Sequence, residues 1–555
     1  MELAFFLMAV LVTAIFGCFW MWQYQRRKKV LMEQIRSSFG QDPSRVSLQK
    51  DTTNLWKLWR IDDAWTIDDQ SWSDLGMDEV YLRLDSCESA IGKEYLYAAL
   101  RRPLGPQTSA RRNALRAAME QNPEIRFALQ LKFARLGRYG RGFEELLGDP
   151  KGARLPLARV YPLCAALPWL CLPLLFFGPQ GGLLCLGAVC LNIALSVAAK
   201  PRLEGALQSL GYLAACFQTA QRVAKLTSPC APELSKELED SLKPLRGLTG
   251  ALSAIACPAP GTDAGTFQEV FGMLTLWPLL FYGRAVKILE LRKEQALQVC
   301  RLMGETELAI ATASFCASVP GWCTPTWQKE GEAVCVECQE LYHPLLSQPV
   351  KNSARFSQDT LFTGSNASGK STFLKAVAVN AILAGSLGVC CAERFCLPYV
   401  PIISSMAVRD DLLAGESYFI AELRSLLRLI QQAEAGPCLC FVDEILKGTN
   451  TVERIAASAA VLERLHTTKA LCFVATHDGE LTRMLTPFWD NRHFREQVTE
   501  DGVHFDYHLY SGPSSTRNAI ALLKTMGFGD TTTQRALDLA AAFDATGVWP
   551  GGTQS

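Results

Sequence analysis

The stretch that decides the fold is TLFTGSNASGKSTFLKAVAVNAILAG, Thr360 to Gly385. It reads as an apolar strand, a glycine-punctuated turn and then a helix. Within it, Gly364-Ser365-Asn366-Ala367-Ser368-Gly369-Lys370-Ser371 fits GxxxxGK(S/T) in full. Backbone N–H groups must curl around phosphates, so glycine is needed where a side chain would clash. Lys370 supplies positive charge to the β- and γ-phosphates, and Ser371 offers a hydroxyl to Mg2+. The helix that starts here, with Thr372 in its first turn, points its positive end at the anion. ATP and Mg2+ are the expected cofactors.

Working outward, from about Gln328 the chain alternates short β-rich runs with helices, which argues for a parallel sheet. CLCFVDEILKGTNT is an apolar strand ending in Asp443 and Glu444. Asp443 suits a magnesium contact, and Glu444 suits a general base that orients the attacking water. A third strand, ALCFVATHD, ends in His477, whose imidazole is expected to reach the γ-phosphate. Lone acidic pairs and lone histidines are common at strand ends. Their order after a complete phosphate loop is what points to ATP hydrolysis.

The opening of the chain poses a different question. Leu3 to Trp22 carries no charge and is about the 20 residues a membrane helix requires. RRKK, Arg26 to Lys29, follows directly, the reverse of a cleaved secretory signal. The expectation is an uncleaved anchor with Arg26–Lys29 in the cytoplasm. Val160 to Ala199 is also charge-free and is broken at Gly178–Gly182, which predicts a transmembrane hairpin with both ends cytoplasmic. A third apolar patch, Val270 to Gly283, is too short to span and reads as a core helix. Residues 26–156 and 201–325 show helical periodicity.

Composition sets limits. Of 555 residues, 55 are Lys or Arg and 55 are Asp or Glu, so a globally basic nucleic-acid footprint is excluded. The 20 cysteines show no regular framework and read as small buried hydrophobes in a reducing compartment. The one CxxC, Cys335 to Cys338, lacks a second ligand pair, so a zinc site is not expected.

The ordered motifs resemble the ATPase domain of the MutS mismatch-repair family, a branch of the ABC-type ATPases. TGSNASGKST stands for that family's TGPNMGGKST, DDLLAGESYF (Asp410 onward) for DDLASGRSTF, DEILKGTNT for DEIGRGTST, and ATHD for ATHY. YHPLL, Tyr342 to Leu346, resembles the RHPL element, and YSGPSSTRNAIALLKTMGF resembles the closing segment. The resemblance covers roughly residues 325–540. It implies a homodimer in which Ser417 reaches the ATP of the opposite copy and Thr449 to Thr451 cross the interface. Glu416 replaces the family's Arg beside that serine. It implies DNA as a partner by family alone. Phe143-Glu144-Glu145 matches the spacing of the family's mismatch wedge but sits at an apparent helix end, so it reads as structural. The chain resembles a membrane-anchored bacterial MutS-related protein more than a repair MutS.

The expected fold class is therefore an α/β P-loop NTPase domain of the ABC/MutS-like kind, preceded by a mostly α-helical arm with about three transmembrane helices. The expected divisions are an anchor (1–25), a cytoplasmic helical region (26–156), a transmembrane hairpin (157–200), a lever-like helical region (201–325), the ATPase domain (326–540) and a tail (541–555). The expected location is a bacterial cell membrane, multi-pass, with the ATPase on the cytoplasmic side. Two other functions fit parts of the sequence: an ABC-type transporter half-subunit, and a membrane-tethered nucleic-acid-binding protein. Few crossings and no intramembrane charge weigh against the first, and neutral charge weighs against the second.

Overall fold

The computed structural model describes residues 19, 21–23, 25–43, 55–59, 65–139, 142–155, 160–255, 271–329, 331–365, 367–406, 418–446, 450–499, 502–514, 520, 523, 526–546 and 549–550. Two compact units emerge. One takes residues 1–62, 82–99 and 114–318; the other takes 63–81, 100–113 and 319–555.

The first unit is helical. Its named helices are α1 (Ala90–Arg101), α2 (Pro179–Thr227) and α3 (Lys293–Ser318). Helix α3 is buried along almost its whole length. It approaches α1 so closely that a Cβ at Gly92 would overlap the Glu307 carboxylate, and one at Gly304 would overlap Tyr95. That contact puts a carboxylate at the N-terminus of α1. Glu307 Oε1 accepts from the amides of Glu88 (2.8 Å) and Ser89 (2.9 Å), and Oε2 accepts from the Ser89 hydroxyl. The unpaired donors of a helix start are thus satisfied from another helix.

A second buried carboxylate lies nearby in sequence. Tyr139 Oη is 3.0 Å from Glu94 Oε1 and 3.1 Å from Glu144 Oε1. One hydroxyl has one proton and donates to one of them only, so the other contact needs a protonated carboxyl. Burial pushes Glu94 up to about 8, which makes it that carboxyl. Phe143 is fully buried in the helix Phe143–Gly148, with its ring 5.0 Å from that of Tyr212. It packs the interior here, as the sequence reading expected.

The expectation of about three transmembrane helices needs correction. Among the described residues one helical segment, Pro179–Lys200 in α2, is long and apolar enough to cross a membrane. The other arm of the hairpin is shorter. Its α-helix ends at Cys171 and tightens into a 3₁₀ turn, Leu172–Phe177, because Pro168 and Pro173 remove backbone donors from the helical ladder. Gly178, at φ 91°, makes the turn between the arms. Leu3–Trp22 lies almost wholly outside the described residues. Apolar side chains on both arms face outward, Phe176 at 90% exposure and Leu183 at 69%. Beyond residue 204 the same helix turns inward, with Leu213, Cys216, Phe217, Ala220 and Val223 buried at helical spacing. Within the patch Val270 to Gly283, of which Val270 lies outside the described residues, residues 271–275 form a helical turn, followed by a break at Leu276 (φ 53°) and the helix Trp277–Leu291.

The second unit is built on two sheets. Strands β1 (Thr326–Trp327), β2 (Val336–Leu341), β3 (Asn352–Phe356) and β5 (Arg394–Leu397) form one, in the order β1-β5-β2-β3. Strands β4 (Thr360–Thr363), β6 (Ile402–Ser405), β7 (Leu439–Asp443), β8 (Leu471–Ala475), β9 (Asp490–Thr499) and β10 (Gly502–Ser511) form the other, in the order β10-β9-β4-β8-β7-β6. All pairs in it are parallel except β9–β10. Helices α4 (Lys370–Leu387), α5 (Tyr418–Ala435) and α6 (Thr451–His466) connect its strands.

Alternation divides this sheet's two faces. Leu361, Val442 and Val474 meet apolar residues of α5 and α6. Phe362, Phe441 and Phe473 point the other way, and the Phe441 and Phe473 rings stack at 4.9 Å. Phe373 of α4 closes over that aromatic face, 5.7 Å from Phe362. Strands covered on both faces read as continuous apolar runs, as these do.

Strand β6 is the edge, and side chains blunt it. Ser404 N donates to Ser71 Oγ (3.0 Å), while Met406 N and Ser404 Oγ both donate to Asp74 Oδ2 (2.9 Å). Ser71 and Asp74 belong to the short helix Asp69–Asp74, capped by Asp68. An edge strand left with bare donors invites pairing with another chain, and here a helix covers it.

Candidate nucleotide site

The phosphate loop joins β4 to α4. Gly364 and Gly369 adopt φ of 134° and 105°, a region closed to most L-residues. A Cβ on Gly364 would stand 2.8 Å from Ser368 Oγ and 2.9 Å from the Phe494 carbonyl oxygen. Gly364 is therefore demanded twice, by backbone angle and by space, and Gly369 by backbone angle. The loop folds around Lys370, whose Nζ donates to the carbonyls of Gly364 (2.6 Å) and Ser365 (2.8 Å). Ser368 Oγ donates to the Ser365 carbonyl at 2.7 Å. Ala367 and Thr372 are exposed and Ser371 is half-buried, at the open end of α4. Asn366 lies outside the described residues.

Parallel strands bring the other groups to the same sheet end. Asp443 pairs in register with Ala475, so the ends of β7 and β8 are level. Glu444 follows with φ 56°, and its amide donates to the Ala475 carbonyl (2.9 Å). A non-glycine residue in that region carries strain of about 1 kcal/mol or more, of the kind concentrated at functional sites. His477 Nδ1 is 3.8 Å from Glu444 Oε2, and Nε2 is 3.9 Å from Asp478 Oδ1. The Glu444 carboxylate beside it raises the His477 pKa above its ordinary value, against a smaller opposing effect of burial. Arg454, on α6, pairs with Asp478 at 2.7 Å, with both side chains largely buried. Asn450 caps α6 by accepting from Glu453 N at 3.0 Å, and Thr451 is its first residue. Ser417 and Thr449 lie outside the described residues.

Two orphaned atoms test whether a metal nucleotide fits. Asp443 Oδ1 and Ser365 Oγ are buried without a hydrogen-bond partner among the described residues. Buried polar atoms are nearly always satisfied, so these two point to a ligand as partner. A carboxylate oxygen and a hydroxyl, at the same end of the sheet as Lys370 and Ser371, are the kind of oxygen donors that Mg2+ prefers.

A cavity of about 510 Å3 opens beside the loop, lined by His343, Asn352, Gly369, Ser371, Phe494 and Tyr507. Of these, sequence reasoning picked out only the loop positions and the Tyr342–Leu346 element. Asn352 fixes the wall by donating to the Tyr507 carbonyl (2.9 Å) and accepting from Leu509 N (2.8 Å). Burial lowers the His343 pKa to about 4, so its ring is neutral. Nδ1 accepts from Leu345 N, which leaves the proton on Nε2, itself buried without a partner among the described residues. A larger cavity of about 1120 Å3 lies by Asp359, Pro437, His466 and Phe488, at the opposite ends of these strands. None of the motif residues lines it, so size alone is a poor guide to the chemistry here.

Residues 360–544 match the family described as MutS domain V. The DNA mismatch repair protein MutS of Thermus thermophilus is 29% identical over 283 residues, 50% of this chain and 33% of that protein. The DNA mismatch repair protein MutS 2 of Haloarcula marismortui is 32% identical over 183 residues, 32% of this chain and 19% of that protein. The MutS of Streptococcus gordonii is 32% identical over 194 residues, 34% of this chain and 23% of that protein. The chain spans about a third or less of the length of these relatives. By the domain that carries its phosphate loop, its paired acids and its strand-end histidine, this chain is MutS-related.

Proposed function

We propose that the loop Gly364–Ser371 holds the phosphates of ATP, that Glu444 and His477 direct water onto the γ-phosphate, and that a second copy of the chain completes the site. The observation that carries this reading is convergence. Lys370, Asp443, Glu444 and His477 leave neighbouring parallel strands at one sheet end, with Asp443 Oδ1 and Ser365 Oγ orphaned among them. The Lys370 ammonium and the first amides of α4 offset phosphate charge. Ser371 and Asp443 would hold Mg2+, which when bound draws charge from the phosphates. The Glu444 carboxylate orients water and accepts its proton. His477, with its raised pKa, donates toward the γ-phosphate oxygens. The cavity by His343 and Tyr507 takes the base, with His343 Nε2 as a donor. Ser417 and Thr449–Thr451 of a second copy reach across.

Glu444→Gln should retain nucleotide binding and lose turnover by about 10²-fold or more. Lys370→Ala should lose nucleotide binding itself. Parent-like turnover in Glu444→Gln overturns the assignment of the base.

We also infer attachment to a bacterial cell membrane, with the ATPase on its cytoplasmic face. Support comes from the outward-facing side chains of Pro179–Lys200 and from the uncharged run Leu3–Trp22. An apolar surface of this extent is unusual on a soluble monomer. The full chain should resist carbonate extraction, and charges at Leu183 and Leu184 should weaken that hold. A DNA client is suggested only by the names of the relatives. It would show as ATP-dependent retention of duplex DNA, with or without preference for a mismatch.

A further inference from the structure

Cys323 and Cys390 face one another across an antiparallel bridge. Cys323 N donates to the Cys390 carbonyl at 2.9 Å, and Cys390 N returns the bond to the Cys323 carbonyl at 2.8 Å. A pair that exchanges both backbone bonds has its Cα atoms about 5.5 Å apart. A disulfide spans Cα separations of about 4.4–6.8 Å, so the pair lies within its Cα range, and closing the bond draws the two Cβ atoms together by about 1 Å. The neighbouring Cys390 side chain holds Cys323 below the usual thiol range.

The surroundings fix Cys390. Its Sγ lies 3.8 Å from the Asn380 carbonyl, and Asn380 Oδ1 accepts from Cys391 N at 2.6 Å. Asn380 is in α4, so Cys390 is pinned to the phosphate-loop helix. Cys323 sits five residues beyond α3, where the chain enters the sheet unit, and is partly accessible.

Other cysteines offer a contrast. The sulfurs of Cys438 and Cys440 approach to 3.5 Å, but with Cys472 they are fully buried under the sheet's helices. Hydrogen bonds to Cys438 and Cys472 push the Cys440 thiol up. Burial pushes Cys338 up to about 12. The thiolate is the reactive form, so these thiols are inert. Cys323 combines partial access, a lowered pKa and an opposite cysteine across the bridge.

We propose that Cys323 and Cys390 form a reversible redox pair, oxidised by a low-molecular-weight disulfide and independent of the nucleotide reading. The Cys323 thiolate attacks one sulfur of the oxidant, breaking its S–S bond and forming a mixed disulfide. The first oxidant thiolate leaves and takes up the proton released by Cys323. The Cys390 sulfur then attacks Cys323 Sγ, and the second thiolate leaves with the proton from Cys390. In total the protein gives up two electrons and two protons, and one oxidant disulfide becomes two thiols. Cys390 needs no solvent access, because its partner brings the electrophile to it.

The test is full-length protein equilibrated in oxidised and reduced glutathione, alkylated, digested and mapped by mass spectrometry. The expected product is a Cys323–Cys390 linked peptide that disappears on reduction. Cys390→Ser should instead stop at glutathione on Cys323, and Cys323→Ser should leave Cys390 unmodified. A Cys323 that stays alkylatable in oxidised glutathione overturns the proposal. So does a parent protein that keeps the mixed disulfide or links Cys323 elsewhere. The parent result alone decides, should either variant fold poorly.

Discussion

Arg454 clasps Asp478 through two hydrogen bonds, Nε to Oδ2 at 3.2 Å and Nη2 to Oδ1 at 2.7 Å, directly beside His477. The side chains are 17% and 7% exposed, so neither charge is well served by water. Arg454→Ala leaves the Asp478 carboxylate buried with its main partner gone. We expect a loss of about 2 kcal/mol, below the cost of a fully buried pair. Adding Asp478→Ala should return part of it. Thermal unfolding of the two single variants and the double variant measures this, and simple additivity of the two losses would show that the pair is not coupled.

His477 should titrate above the ordinary histidine value, because its first interaction is with Glu444. A raised folded-state pKa means that the contact stabilises fully below the unfolded value and is lost as pH rises through the folded one. In Glu444→Gln the same histidine should titrate lower. Histidine-selective NMR over a pH series reads both values. An unchanged midpoint would assign the shift to Asp478 instead.

Glu94 makes the helical unit sensitive to alkali. Its carboxyl is raised from 4.5 to about 8, chiefly by burial, so the folded state keeps a proton that the unfolded state releases. Stability is therefore greatest below the unfolded value and falls as pH climbs through about 8. Glu307, raised to about 7, acts in the same sense. Glu94→Gln is neutral throughout and should flatten the decline in melting temperature between about pH 5 and about pH 9. A variant with the parental slope would clear Glu94 of the effect.

Gly304→Ala should destabilise by about 1–3 kcal/mol, since the added methyl has no room against Tyr95. The nearest atom is the Tyr95 Cβ itself, so Gly304→Ala should cost less when made in a Tyr95→Gly background than in the parent. Melting curves that show the same cost in both backgrounds would place the strain elsewhere.

The phosphate loop was legible because its demands are local. Two glycines, a lysine and a serine at fixed spacing lie between a strand and a helix that the hydrophobic pattern also marks. The strand-end groups Asp443, Glu444 and His477 were legible for the same reason. The cavity wall was not. Asn352 and Tyr507 are 155 residues apart and meet only through the pairing of distant strands. The clamp on β6 was equally hidden, because Asp74 and Ser404 are separated by 330 residues. The apolar hairpin misled for a physical reason: hydropathy counts residues, whereas Pro168 and Pro173 decide how many of them one α-helix can hold.

Helix α2 runs unbroken for 49 residues, about 74 Å at the α-helical rise. Its outward-facing apolar half ends at Lys200, and the next residue is Pro201. Proline has no N–H for the carbonyl of Val197, so the ladder misses a rung where the two halves meet. A rod stiff on both sides and soft at one point behaves as a jointed beam. Force applied to its buried half changes an angle at that joint more readily than it drives the apolar half along its axis.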